Sequence, residues 1–397
     1  MAREPWQDWI PGVLSKRLVQ ELITEGFIEN ASTDSADYSS LDLFLTDEAY
    51  ELVGGTVKPF GPRYLSFLKR ESLIAALRPD TRGEFLLQPR RSYLFRLNER
   101  IGNLRGSQIY GQATAKSSVG RMDVLARLVV DGMDEYEGFV PDSLGGDMFL
   151  EITPMTFNVK VKKGISLTQL RLFKGAPFES RIKGESLVNT VLHGNDNNDD
   201  ATLSVDLTPT RIAGVDVSVF KATLNLSDHP GIPMWKQDEG DKPKPWEHWK
   251  FETADQNNRL RIHKDSFYII RSHEKIWLPR GIAVYCRASD ETIGEMRIHY
   301  AGFVHPFFGD ERKDGVKGTP LIFEVRGHDV DVSLRHREKM ARLEFYRMSE
   351  DCERAEGRGG DPYAAQTLKL STYFANWPEE VTVSPSDGTV EPVRATK

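Results

Sequence analysis

Cysteine is nearly absent from this 397-residue chain, with Cys286 and Cys352 the whole complement. Two thiols cannot build a disulfide framework or a cysteine-based zinc site, so both are expected to be ordinary reduced thiols. No apolar run approaches the roughly 18 residues that would span a bilayer. No basic stretch followed by a continuous apolar one stands in the opening MAREPWQDWIPG, so a cytoplasmic protein is the expectation. Excess positive charge is missing too: the net charge is −7. A protein whose main task is coating nucleic acid usually needs a basic face, so neither nucleic acid nor membrane is expected as a partner. The motif inventory also excludes several chemistries. There is no paired P-C-x-x-C beside a His/Cys–Glu motif, no G-x-x-x-x-G-K-[ST] loop, no G-x-S-x-G elbow and no H-E-x-x-H. Zinc deaminase, P-loop kinase, serine hydrolase and zincin readings fall away.

What is present is mostly strand-like. GVLSKRLVQELITEG carries Leu14, Leu18, Leu22 and Ile23 at helical spacing, with Ser15 as a cap and Gly26 as a stop. A second helix is expected over Ser66 to Leu77. The remainder, including SYLFRL, DMFLEI, FNVKVK, SFYIIR, GIAVYCR and LIFEV, consists of short β-branched and aromatic runs between turn residues. The chain reads as mainly β.

An internal repeat organises it. The stretch from Ser92 overlays the stretch from Ser266, with Ile101 meeting Ile276 and Tyr110 meeting Tyr285, each pair 175 positions apart. Further on, MFLEITPMTFNVKVKKG matches LIFEVRGHDVDVSLRHR and sets Glu151 opposite Glu324. SSLDL at Ser39 is echoed by LSVDL at Leu203. Order conserved across three blocks indicates duplication. The boundary falls in the polar region ending in HGNDNNDD, giving domains 1–180 and 181–397. WKQDEGDKPKPWEHWKFE finds no counterpart in the first copy, and its tryptophans, Trp235, Trp246 and Trp249, suggest docking within the chain.

Chemistry concentrates in AKSSVGR, Ala115 to Arg121, and in the lone carboxylate Glu151 inside an apolar strand. Alternation puts Phe149 and Glu151 on one face, so the acid is either solvated or aimed into a pocket. The ordered set SSLDL, KSSVGR, FLEI, GISLTQL and a late QTLKLSTYF resembles the dCTP deaminase branch of the dUTPase superfamily, in its long tandem form. The resemblance implies two tandem dUTPase-like distorted β-barrel or jelly-roll-like domains with a few short helices, assembled as a homotrimer with sites near subunit interfaces. It implies hydrolytic conversion of dCTP to dUTP and ammonia without zinc, with Mg²⁺ arriving on the deoxynucleoside triphosphate and no protein metal ligands. By motif, Glu151, Ser117 and Arg121 form the catalytic set. Lys116, Ser118, Val129, Val130, Asp131, Gln169, Tyr363, Gln366 and Lys369 bind substrate, the last three on a C-terminal arm. Asp42 is assigned a structural role.

Water alone is a poor nucleophile, so a positioned carboxylate must take its proton as the ring carbon is attacked. In the second copy SDETIGE, Ser289 to Glu295, replaces KSSVGR, and its acids would repel a triphosphate. Glu324 is therefore expected in an inert site. Two alternatives stand beside this reading: a dUTP pyrophosphatase or bifunctional enzyme yielding dUMP, in which Asp131 either activates water or caps a turn, and a non-catalytic nucleotide-binding regulator.

Overall fold

The computed structural model describes residues 4–61, 63–141, 145–193, 201–223, 230–288, 296–299, 302–309, 318–354 and 367–393. Among the described residues each half contributes one eleven-stranded sheet, with antiparallel pairing along its main path. The first runs through strands Ile109–Ala115, Ser166–Lys174, Ser40–Leu52, Tyr93–Ile101, Gly146–Pro154 and Val124–Val130. The second uses strands Phe267–Ile276, Thr202–Asp206, Lys339–Arg347 and Ile282–Ala288, with Thr319–Gly327 paired to Phe267–Ile276.

The duplication extends to single hydrogen bonds. Tyr93 OH accepts from Gln88 N at 3.0 Å, and Tyr268 OH, 175 positions on, accepts from His263 N at 3.0 Å. Glu151 stands opposite Leu94 on its neighbouring strand; Glu324 stands opposite Ile269, the equivalent of Leu94. Both acids thus occupy the same rung of the same ladder.

The N-terminal helix forms over Lys16–Thr24, with Ser15 Oγ accepting from Leu18 N. Its apolar stripe buries Leu18, Val19 and Leu22. The second helix departs from expectation. It spans Tyr64–Arg70; Ser72 then takes φ +55°, and Ile74–Leu77 is a strand paired with Ala49–Leu52. β-pairing along that edge overrides the helix propensity of the alanines.

That strand also locates the Trp-rich stretch. Trp249–Glu252 pairs with Val219–Ala222 in the place Ile74–Leu77 holds in the first half, so its last residues do have a structural counterpart. The segment before it carries two short helical turns, Glu239–Asp241 and Pro245–His248. Trp249 is fully buried, and Trp235 and Trp246 pack against the apolar cluster that both halves share.

The halves share their interior. One apolar cluster runs from Leu41, Phe95 and Leu150 of the first half to Phe220, Trp249 and Phe267 of the second. Arg171 is completely buried between them. Its guanidinium donates to the carbonyl oxygens of Val284 (2.9 Å) and Val304 (3.3 Å) and stacks 4.0 Å from the Phe303 ring. Burial pushes this guanidinium down to about 9. At Gly12 a Cβ would lie 2.7 Å from the backbone of Met348 and Ser349, so only glycine allows the approach. No helix of the described residues is long and apolar enough to cross a membrane.

Candidate functional site

The KSSVGR segment leaves the strand Ile109–Ala115 and closes into one helical turn, Ser117–Gly120. Lys116 N donates to Leu167 O at 3.0 Å, and Val119 and Gly120 are buried beneath. This anchoring leaves Ser117 exposed and Ser118 half-buried. Lys116 Nζ reaches Asp42 Oδ2 at 2.5 Å. Gln169, whose strand partners are Asp42 and Thr114, sits on the same rung, and its Oε1 accepts from Ser40 Oγ at 3.4 Å. Lys116, Asp42 and Gln169 therefore form one polar edge beside the turn. Asp42 holds the lysine head.

Arg121 ends the turn, and the acid facing it is Glu324, from the second half. Arg121 Nε lies 3.9 Å from Glu324 Oε1, and both side chains are only 7 % exposed. Burial pushes the Glu324 carboxyl up to about 8, with Arg121 pulling the other way. Two residues on, Arg326 pairs with Asp123 at the end of the same first-half loop and donates to Thr156 Oγ1 at 3.0 Å. The turn and its acid are thus brought together by a buried ionic contact between the two copies.

Glu151 is elsewhere. It is buried, as an acid aimed inward must be, but its carboxylate is held by Arg127, whose Nε donates at 3.1 Å, and by Tyr136 OH at 3.0 Å. The Arg127 guanidinium also lies 4.3 Å from the Tyr136 ring. Glu151 pairs with Arg127 three rungs along the ladder from Val124, roughly 10 Å of strand. Within this chain Glu151 does not meet Ser117 and Arg121: it pairs with Arg127, and Arg121 faces Glu324. Glu324, expected in an inert site, is the buried acid beside the motif. A signal for this existed, since the repeat aligned Glu324 with Glu151 and the resemblance placed sites between subunits.

The remaining nominated residues divide. Val129 is buried against Tyr64, Leu94 and Phe149, and Val130 lies in the main core. Asp131 Oδ1 accepts from Tyr64 N at 2.9 Å, which caps the helix Tyr64–Arg70. The C-terminal segment crosses the KSSVGR turn: Ser371 Oγ donates to Ser118 O at 2.7 Å, and Lys369 O accepts from Arg121 Nη1 at 3.4 Å. Lys369 is exposed there; Tyr363 and Gln366 lie outside the described residues, as does SDETIGE.

Among the described residues, Asp206, His273 and His336 bring potential metal-ligand atoms within 4.8 Å. Their hydrogen bonds are already made. Asp206 accepts from Arg271 at 2.8 Å and from Thr208 N at 2.9 Å, His336 Nδ1 accepts from Leu207 N at 3.1 Å, and His273 Nε2 faces Arg337 at 2.7 Å. Two neighbouring guanidinium groups make this a poor seat for a cation.

Comparison with known proteins agrees with the duplication. Residues 10–176 match the 2'-deoxycytidine 5'-triphosphate deaminase (DCD) N-terminal domain, and residues 178–374 match the corresponding C-terminal domain. The crystal structure of 2'-deoxycytidine 5'-triphosphate deaminase from Agrobacterium tumefaciens is similar, with 27% identity and a TM-score of 0.74 over 87% of this chain and 100% of that one. Comparison with curated proteins finds no match. With both domains present in order and the fold shared, the chain belongs to the 2'-deoxycytidine 5'-triphosphate deaminase family, in its long tandem form.

Proposed function

We propose that this protein hydrolyses dCTP to dUTP and ammonia at a site built by both halves, with Glu324 moving the protons. The observation that carries the reading is the buried Glu324 carboxyl, raised to about 8 and 3.9 Å from Arg121. A carboxyl poised there exchanges protons readily near neutral pH. As water oxygen bonds to C4 of cytosine, Glu324 takes its proton and hands it to N3 of the ring, returning to the carboxylate. The remaining hydroxyl proton then passes through the same carboxyl to the amine, the C4–N4 bond breaks, and ammonia leaves as the C4 carbonyl forms. Arg121 orients the carboxylate and balances its charge, while Ser117 hydrogen-bonds the water or base.

Lys116 and Ser118, with Lys369 above them, take the triphosphate and its Mg²⁺. Lys116 acts as a point charge, without the fork an arginine would offer. A metal-independent route is supported by the lack of a zinc-deaminase motif anywhere in the sequence. A cytoplasmic location and a trimer of tandem chains complete the reading; light scattering tests the latter. Incubating the protein with dCTP and Mg²⁺ without zinc, then measuring ammonia and separating dUTP from dUMP, tests the activity. Accumulating dUTP supports deamination alone. Pyrophosphate with dUMP would make the enzyme bifunctional, and tight binding without ammonia would overturn the proposal.

A further inference from the structure

The segment that crosses the KSSVGR turn is held at its far end by the Trp-rich stretch. Phe374 packs among His248 (5.4 Å between ring centroids), Trp249 (5.8 Å) and Phe157 (6.1 Å). Trp377 continues the contact against Phe251 at 4.5 Å and Phe220 at 5.6 Å. Backbone bonds lock the junction: Ala375 N donates to Pro243 O at 3.0 Å and Asn376 N to Glu239 Oε1 at 2.5 Å. The Trp-rich stretch is in turn tied to the first half. Ile232–Pro233 pairs in parallel with Val159–Lys160, and Lys162 Nζ lies 4.4 Å from the Trp235 ring. Three residues before Phe374, Ser371 makes its bond to Ser118.

We infer that residues 232–249 act as an anchor that fixes the C-terminal segment over the phosphate-facing turn, with Phe374 as the positioning residue. The bond to Ser118 is made by Ser371. Phe374 sets where Ser371 and Lys369 stand, and aromatic burial supplies a rigid hold at little conformational cost. The segment is short between anchor and turn, so slack at Phe374 is felt within three residues. An exposed insertion without a role would not bury a histidine and a tryptophan beneath one C-terminal phenylalanine.

The inference rests on the deaminase reading for its kinetic arm and is independent of it for its structural arm. Phe374→Ala is expected to raise the KM for dCTP at least tenfold while kcat stays within threefold, with Phe374→Leu recovering most of the loss. Hydrogen exchange in the same variant should rise for peptides spanning 116–121 and 368–373 while the Thr202–Asp206 and Lys339–Arg347 strands keep their protection. If Phe374→Ala does not fold, Glu239→Ala decides, because it removes the acceptor for Asn376 N at the exposed rim; a twofold to fourfold KM rise and the same local exchange pattern are expected. Unchanged KM and unchanged exchange at 116–121 in a folded variant would overturn the anchor. A wild-type protein that releases no ammonia defeats the deaminase reading alone, and exchange then judges the anchor.

Discussion

Arg121 and Glu324 meet at 3.9 Å although 203 positions separate them in the chain. Their equivalence to partners in different copies makes the contact a junction between repeats, and the first prediction follows from it. Glu324→Gln keeps the shape and removes the proton carrier, so deamination should fall by about 10³-fold or more, in the upper range for loss of a general acid–base, with dCTP binding retained. Glu151→Gln should leave activity within about threefold. It weakens a buried ionic contact to Arg127, so a stability loss of about 1–3 kcal/mol is expected by denaturant titration. Inactivity in Glu151→Gln with full activity in Glu324→Gln would reverse the assignment.

pH reports on Glu324. Glu324 has its folded pKa raised from 4.5 to about 8, so between these values the folded state keeps a proton the unfolded state has released. Its contribution to stability is full below about pH 4.5 and declines as pH rises toward 8, by up to about 1.4 kcal/mol per pH unit. Thermal melts across pH 5–8 should show this slope in the wild type and a flatter profile in Glu324→Gln. The kcat of the wild type should climb over the same interval as the base form accumulates.

Arg326 should matter more for stability than for turnover. Its pair with Asp123 is almost fully buried, and removing one partner leaves a charge with no compensation. Arg326→Ala is expected to cost about 3–5 kcal/mol, seen as a lowered Tm. Arg326→Ala with Asp123→Ala together should cost less than the sum of the two singles.

Lys116 reports on the phosphates. Its ammonium is held by Asp42 at 2.5 Å and remains about a third exposed. Lys116→Ala should raise KM for dCTP by about 10-fold, the range of one charge-assisted contact, and leave KM for the uncharged nucleoside deoxycytidine unmoved. Equal loss with both substrates would remove Lys116 from the phosphate site.

The mainly β architecture was legible because period-two runs such as VKVK and turn residues leave few other folds open, and the duplication was legible in Ile101 and Ile276. Lys116, Ser118, Arg121 and Lys369 were nominated from motif order, and the structure brings them to one turn. What the one-dimensional reading lost was the partner of Arg121. Adjacency along the chain favoured Glu151, whereas the ladder sends Glu151 to Arg127 and the junction between copies delivers Glu324. Asp131 illustrates the same limit: a carboxylate after a strand suits either water activation or a turn cap, and its contact with Tyr64 N is a long-range one that the sequence does not contain. The helix expected to reach Leu77 failed because pairing with Ala49–Leu52 is a long-range event that local propensity does not contain.

Arg171 puts a permanent cation where both copies must close around it, with Val284 and Val304 giving up carbonyl oxygens to satisfy it. Separating the copies would strand those carbonyls and leave the guanidinium with Ser39 of its own half as acceptor. Covalent linkage therefore does more than keep two ancestral subunits in register. It keeps Glu324 of one copy beside Arg121 of the other, a pairing that two freely exchanging chains would lose whenever they parted.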